Sequence, residues 1–427
     1  MPDTHAPHPA AAVSESRLWN RLMEMARIGA IPGAREGEWG VNRPCLSPED
    51  RQARRLLIGW AEAIGLAVSI DRLGNLFLRH EGSDPTLAPV LTGSHMDSQP
   101  KGGRFDGIYG VIAALEAVQA LREAGLSTRR PIEIVAWTNE EGGRFAPGCM
   151  GSMAYSGFAP PDTWDDIRDS AGIRWADALA QHLAEEADLP RRPLGVVEGV
   201  APFAYLEAHI EQGPVLERQG IEIGAVTGIQ GSRWFSVEIL GRSDHAGTCP
   251  LSLRQDALQD AIRAITALNA LMQDPTDVLR FTVGRMEVFP NASNSVADLV
   301  RFSIDFRHPD DRVLQARGNA IEGVIQAALK SCDYRLEERF HARPATFDAG
   351  IIATIEGAAT ALGLSHMRLP SGAFHDAQFL VPICPTGMIF IPCRGGISHN
   401  PAEYAEPAHC ANGARVLAQA LAELAAR

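Results

Sequence analysis

Residues 88–107 read APVLTGSHMDSQPKGGRFDG. The first seven, Ala88–Ser94, are a short apolar run bounded by turn-formers, which reads as a buried strand. His95, Asp97 and a glycine-rich loop to Asp106 follow at once. Ile108, Val111, Ile112, Leu115, Val118 and Leu121 then recur at helical spacing, and PIEIVAWT (131–138) is a second buried strand. Buried strand, helix and buried strand in this order predict an α/β sheet, mixed or parallel, with helices on its faces.

The flanking sequence extends this pattern. A helical spacing opens near Ser16 (Leu18, Leu22, Met25, Ala26). Another covers 48–64, with Ser47 as N-cap and Gly65 as stop. Beyond residue 220 the texture changes. Trp234–Leu240 and Leu299–Arg307 alternate apolar and polar residues, as half-exposed antiparallel strands do. Asp256–Met272 and Val313–Leu329 read as amphipathic helices. After Asp333 the buried style returns: helix 349–362, strand GMIFIPC (387–393) and a last helix 407–425 opened by Pro407. The expectation is an α/β domain of residues 16–217 and 331–427, interrupted by an α+β domain of residues 218–330. Residues 1–15, rich in Ala, Pro and His, are expected to be a disordered tail.

Composition narrows the function. The chain has 427 residues, 45% hydrophobic and 21% charged, enough for a sizeable core. Its 39 basic and 52 acidic residues give a net charge of −13, and no basic arm is present, which argues against nucleic acid as a partner. Only Lys101 and Lys330 are lysines, so Schiff-base and P-loop lysine chemistry is nearly closed off. No GxSxG, HExxH or GxGxxG occurs. Seven cysteines without a CxxC pair favour a reducing compartment, and no signal peptide or 18-residue apolar stretch is visible. A cytoplasmic location with no membrane partner is therefore expected.

Chemistry-bearing residues follow the buried strands. His95, Asp97 and Asp106 come after the first strand, and Asn139-Glu140-Glu141 after the second. His209 closes AYLEAH, and His399 follows GMIFIPC. Open α/β sheets place their sites past the carboxyl ends of strands. Alone, any one of these residues reads as a turn or cap; together they form a ligand set. Imidazoles and carboxylates suit a divalent transition metal. His95, Asp106, Glu141, His209 and His399 are too many for one open catalytic zinc. They fit two metals about 3.5–4 Å apart. Asp97, two residues after His95, is placed to hold the imidazole's other N–H. Glu140, beside a ligand but pointed differently, suits a general base.

The segments GSHMDSQPKGGRFDG (93–107), WTNEEGGRF (137–145), EAHIEQGPVLE (207–217), GRSDHAGTCP (241–250), SGAFHDAQ (371–378) and GISHNPAEY (396–404) together resemble one family. It is the M20-type amidase family of N-carbamoyl-L-amino-acid hydrolases, allantoate amidohydrolases and yeast-type β-ureidopropionases. The resemblance runs from about residue 18 to the end. It implies a dinuclear-metal-peptidase-like catalytic domain with an inserted lid and dimerisation domain, and a homodimer. It places the metal ligands on His95, Asp106 (bridging), Glu141, His209 and His399, the general base on Glu140 and the orienting carboxylate on Asp97. It places substrate contacts on His245, Gln212, Asn294, Arg307 and the Gly372-Ala373 backbone. Cys249 and Leu251 stand where the family more commonly has Thr and Met, which bears on pocket shape.

Each of these roles has a physical basis and a plainer rival. The Arg307 fork can pair with a substrate carboxylate, or simply with a neighbouring acid. His245 can donate to an oxyanion, or cap its turn; Gln212 can cap a helix or turn. His375-Asp376 is expected behind the ligands. The resulting expectation is a hydrolase cleaving the ureido C–N bond of an N-carbamoyl-L-amino acid to amino acid, CO2 and ammonia. Its cofactors are two divalent ions, Zn²⁺ or Mn²⁺, with Co²⁺ or Ni²⁺ as substitutes. Alternatives are an allantoate or other ureido-acid amidohydrolase, an M20 aminoacylase or peptidase, and a non-catalytic binding relative.

Overall fold

The computed structural model describes residues 9–427. They divide into two units, residues up to Thr227 with Thr346–Arg427, and residues Gly228–Ala345. The boundaries therefore lie later than the sequence suggests. Strand Ile223–Ile229 begins in the first unit's sheet, where it pairs Thr386–Ile391, and strand Asp333–Ala342 pairs Gly231–Leu240 in the second. Both are short-range alternating or apolar runs whose sheet membership is set by partners distant in sequence. The expected tail is also corrected. Residues 1–8 lie outside the described residues, but Pro9–Ala12 form a 3₁₀ turn with Pro9 and Ala10 buried. Ser14 caps the helix Glu15–Met25, its hydroxyl accepting from the Arg17 N–H.

A nine-stranded mixed sheet organises the first unit. Its centre is four parallel strands, in spatial order Thr386–Ile391, Ala204–Ile210, Val90–His95 and Ile132–Trp137. All their carboxyl ends lie on one edge, which positions the site. Antiparallel strands Leu76–His80 and Ala67–Ile70 extend one side, and Ile223–Ile229 the other. The central strands are buried at every position, which explains their mostly apolar character. Helix Ile108–Glu123 packs on Val90–His95 and on helix Pro407–Ala426. It is apolar nearly all round because it is covered nearly all round.

Helix Pro48–Ala63 shows how polar groups enter this core. Ser47 accepts the Asp50 N–H as N-cap, and Pro48 takes the first helical position. Arg54 on its inner face meets Glu186 through two hydrogen bonds of 3.0 and 2.7 Å, both side chains buried. Removing one partner of such a pair costs about 3–5 kcal/mol, since the other charge is left buried alone. The pair spans 132 residues of chain and has no local sequence signature.

The second unit is a five-stranded antiparallel sheet with two helices on it. Leu299–His308 pairs with Gly231–Leu240 over its full length, Leu299 opposite Leu240 and His308 opposite Gly231. Asp256 and Asp310 cap the helices Ala257–Leu271 and Asp311–Ala328. Val237, Val300, Phe302, Ala261, Leu268 and Ile321 form its core. Its strands alternate buried and exposed positions, as the sequence alternation requires.

Candidate metal centre

Strand Val90–His95 ends on His95, and its neighbour Ala204–Ile210 carries His209 at its penultimate position. The parallel pairing of these strands delivers both imidazoles to the same sheet edge, with ring centroids 6.1 Å apart. Asp106 arrives from the glycine-rich loop between them. Its Oδ1 lies 3.6 Å from His95 Nε2 and 3.1 Å from His209 Nε2. Its Oδ2 lies 3.2 Å from His399 Nε2, and Glu141 Oε2 is 3.4 Å from that same nitrogen. Among the described residues three groups lie close enough to hold an ion; two of them, His95–Asp106–His209 and Asp106–Glu141–His399, share one carboxylate that turns a different oxygen to each, and the third is Glu207–His209–His375 behind them.

The loop reaches this position because two residues lack side chains. At Gly107 (φ +64) a Cβ would come within 2.3 Å of the His95 ring, and at Gly103 within 1.9 Å of Glu403. Glu403 is buried and binds the loop, accepting the N–H groups of Phe105 and Asp106 at 2.9 and 3.1 Å. Ser398 joins it, donating to Glu403 or to Asp106 Oδ2. Glu141 is held from the other side by the backbone and side-chain N–H groups of Gln99, at 3.1 and 2.8 Å. None of Glu403, Ser398 and Gln99 was expected from the sequence. All three lie inside the family-like segments, Gln99 four residues after His95, Ser398 one before His399 and Glu403 four after it, where their spacing was the available signal.

Asp97 differs in detail from expectation. His95 Nδ1 is 3.0 Å from the Asp97 backbone carbonyl and 3.6 Å from its carboxylate. The carboxylate instead accepts the N–H groups of Glu140 and Glu141, at 3.2 and 3.3 Å. One residue thus fixes the tautomer of a histidine with its backbone and the direction of two glutamates with its side chain. His209 Nδ1 meets the Ile210 carbonyl at 2.8 Å, which leaves Nε2 as an acceptor, and the Gly107 N–H lies 3.2 Å from it.

Glu140 Oε2 points at His95 Nε2, 3.4 Å away. Burial pushes the Glu140 carboxyl well up, against the pull of His95, and pushes Glu141 to about 7 with Asp106 beside it. Burial alone would lower His95, but Glu140, Asp106 and Asp97 outweigh it and hold the imidazole well above its ordinary value. The hydrogen bond to Asp106 raises His399 to about 9. Asp106 goes the other way: burial alone would raise it, but hydrogen bonds from His209, His399 and His95 hold it well below the ordinary carboxylate value, so the shared group stays ionised among neighbours biased toward carrying protons. With oxygen and imidazole donors only, and one carboxylate serving both sets, the residues fit divalent transition metals.

His375 lies behind the ligands, its ring edge-on to His209 at 4.5 Å and its Nε2 2.9 Å from Ser371 Oγ. Burial and His209 keep it well below the ordinary imidazole value, so it is a neutral packing partner. Asp376 accepts from Ser152 in the same layer, and Glu207 accepts from Ser94 and Tyr205 at 2.7 and 3.0 Å. Gln212, in a left-handed turn (φ +54), donates to Asp106 Oδ2 at 2.8 Å, while its own amide oxygen is buried without a partner. In the Gly372-Ala373 loop, the Ala373 N–H is taken by Ser371 Oγ at 3.1 Å.

The remaining expected residues belong to the second unit. His245 bridges to Ser295, and the Ala246 N–H donates to the Asn294 carbonyl, so the His245 and Asn294 segments are neighbours. Arg307 stands on strand Leu299–His308 and forks onto Asp305, at 3.2 and 2.8 Å.

Residues 91–423 match the family described as Peptidase family M20/M25/M40. An N-carbamoyl-L-amino-acid amidohydrolase of Rhizobium meliloti is 38% identical over 428 residues, covering 98% of this chain and 99% of the relative. A ureidoglycolate hydrolase of Oryza sativa subsp. japonica is 37% identical, covering 96% of this chain and 85% of the relative. Among solved structures, a hydantoinase/carbamoylase family amidase from Burkholderia multivorans superimposes with a TM-score of 0.88 at 41% identity, covering 97% and 98% of the two chains.

Proposed function

Because the chain belongs to peptidase family M20/M25/M40, we propose that it is a metal-dependent amidohydrolase that cleaves the ureido C–N bond of an N-carbamoyl-L-amino acid, releasing the amino acid, CO2 and ammonia. The observation that carries the substrate class is the Gln212 amide oxygen, a buried acceptor beside Asp106 with no donor of its own. A carbamoyl group ends in an NH2, which donates; an acetyl group ends in a methyl, which does not. Leaving such an acceptor unmatched costs about 1–3 kcal/mol, so the site favours the ureido ligand.

Two divalent cations, Zn²⁺ or Mn²⁺ with Co²⁺ or Ni²⁺ as substitutes, held by His95, Asp106, Glu141, His209 and His399, would supply an acidified water and an electrophile for the carbonyl. Glu140 takes a proton from the attacking water on Oε2 and returns it to the departing amine nitrogen. Asp97 keeps Glu140 and Glu141 in place through their backbone N–H groups. Arg307 and Asn294 anchor the substrate carboxylate, His245 donates to the oxyanion, and the Gly372-Ala373 loop contributes a backbone contact. In this reading the second unit serves as lid and dimerisation domain, and the protein works as a homodimer. Seven unpaired cysteines support a reducing, cytoplasmic setting, and among the described residues no helix is long and apolar enough to cross a membrane.

The likeness to a ureidoglycolate hydrolase supports a second reading, an allantoate-type ureido-acid hydrolase using the same NH2 recognition. The deciding experiment is a panel of N-carbamoyl-L- and D-amino acids, N-carbamoyl-β-alanine, allantoate, ureidoglycolate and N-acetyl amino acids, each with several metals. Highest kcat/KM on N-carbamoyl-L-amino acids is expected. Preference for allantoate or ureidoglycolate selects the second reading, and preference for N-acetyl substrates overturns both.

A further inference from the structure

We propose that Cys149 is a positioning residue for the general base, its thiol fixing one carboxylate oxygen of Glu140 so that the other faces the ligand cluster. The proposal rests on the reading of Glu140 as base. Cys149 Sγ lies 3.5 Å from Glu140 Oε1, with the thiol as donor, while Oε2 faces His95 Nε2 at 3.4 Å. A glutamate's last torsion is broad, so an unbound carboxylate samples a wide range of planes. A donor on one oxygen narrows that range and fixes the direction of the other.

The loop is built to deliver that thiol. The Cys149 N–H donates to the Glu140 carbonyl at 2.9 Å, closing residues 140–149 into a ring. Inside it, the Asn139 side chain donates to the carbonyls of Phe145 and Pro147, at 2.8 and 3.0 Å. At Gly148 a Cβ would come within 2.1 Å of the Glu140 carbonyl oxygen, so the chain runs tight against the base there. Cys149 itself is left-handed (φ 56, ψ 24) just before the helix Met150–Ser156, and only 5% exposed. The Glu140 N–H is bound to Asp97. The base is thus held at its N–H, its carbonyl and one carboxylate oxygen, and two of these three contacts come from Cys149. Burial and the neighbouring carboxylates push the thiol well above its ordinary pKa, so it remains an S–H donor and not a nucleophile.

The test compares Cys149→Ala and Cys149→Ser in the metal-reconstituted full chain, on the panel member turned over fastest. The Ala variant is expected to lose about tenfold in kcat, the size of one modest hydrogen bond, with KM and bound metal unchanged. The Ser variant keeps a donor and is expected within about threefold of wild type. Added to Glu140→Gln, the Ala substitution should cause no further loss, because its effect passes through the carboxylate. Wild-type kcat in Cys149→Ala, or an equal fall in both variants at normal metal content and melting temperature, overturns the proposal. Should the Ala variant fail to fold, the Ser variant decides. Near-normal kcat supports the role, and a large loss with normal KM and metal overturns it. Near-normal kcat in Glu140→Gln alone would instead show that the base assignment has failed.

Discussion

Gln212 donates to Asp106 Oδ2 at 2.8 Å and leaves its own amide oxygen buried and unmatched. The turn that places it there requires a positive φ, so the side chain is committed to the ligand cluster and not to a helix cap. Gln212→Leu removes both the donor to Asp106 and the acceptor. We expect kcat/KM on the N-carbamoyl substrate to fall about ten- to a hundredfold, and that on its N-acetyl analogue to change much less. Equal losses on the two substrates would reduce Gln212 to a support for Asp106.

Sharing of Asp106 by both ligand sets makes a prediction about metal stoichiometry. Chelation should abolish activity, and Mn²⁺, Zn²⁺, Co²⁺ or Ni²⁺ should restore it. Elemental analysis should find two ions per subunit in the wild type. His399→Ala should retain one ion, because His95, Asp106 and His209 remain, whereas Asp106→Ala should lose both. Ions that bind only the folded chain also stabilise it, by about 2.7 kcal/mol at a hundred times Kd. The melting temperature should therefore rise on reconstitution. Full activity in a verified metal-free sample would sink the mechanism.

Glu140→Gln preserves the size of the side chain and removes its basicity. The ligand set does not include Glu140, so bound metal and KM should stay near wild type. Loss of general base catalysis should lower kcat about 10²–10⁴-fold. A variant with near-normal kcat would remove Glu140 from this role.

The candidate ligand cluster was legible because its members end or follow strands that are short, mostly apolar and turn-bounded, and parallel neighbours carry their carboxyl ends to one edge. Ser47 marked a helix start for an equally local reason, the capping hydrogen bond, whereas the helix read from Val313 begins at Asp311 behind its cap Asp310. What stayed hidden was non-local. Glu403 reaches the Asp106 loop across 297 residues, and Arg54 finds Glu186 across 132. Neither pairing leaves a periodicity. Asp97 stands beside His95 as read, with its carboxylate 3.6 Å from Nδ1, but strand alternation gives direction only and did not show that its backbone carbonyl lies closer or that the carboxylate also holds Glu140 and Glu141. The unit boundary slipped because strand Asp333–Ala342 alternates like its partner Gly231–Leu240 yet lies past the point where apolar texture resumes.

Arg307 offers its fork to Asp305 on its own strand, through contacts of 3.2 and 2.8 Å. A substrate carboxylate would have to share or displace this partner. Arg307→Ala should raise KM for carboxylate substrates about ten- to a hundredfold with a smaller effect on kcat. Arg307→Lys should not restore it, since an ammonium lacks the planar fork. An unchanged KM in Arg307→Ala would leave the arginine as a strand-end ion pair only.

Asp260 gives the second unit a pH-dependent joint. From helix Ala257–Leu271 it accepts the N–H groups of Lys330, Ser331 and Cys332, at 2.9, 3.1 and 3.0 Å, and pairs with Arg263. It thereby ties that helix to the segment following helix Asp311–Ala328. Burial alone would raise its pKa, but Arg263 and these N–H groups hold it down at about 2. The folded value lies below the unfolded one, about 3.9. Its stabilisation is therefore fully present above pH 4 and lost as pH falls toward 2, when the folded form takes up the proton. Asp260→Asn exchanges an ionised acceptor for a neutral amide and should cost about 2 kcal/mol at pH 7. Hydrogen exchange at Lys330–Cys332 should accelerate in this variant at neutral pH. The difference from wild type should shrink between pH 4 and pH 2. A difference that persists undiminished below pH 2 would mean that packing, not the carboxylate charge, holds the joint.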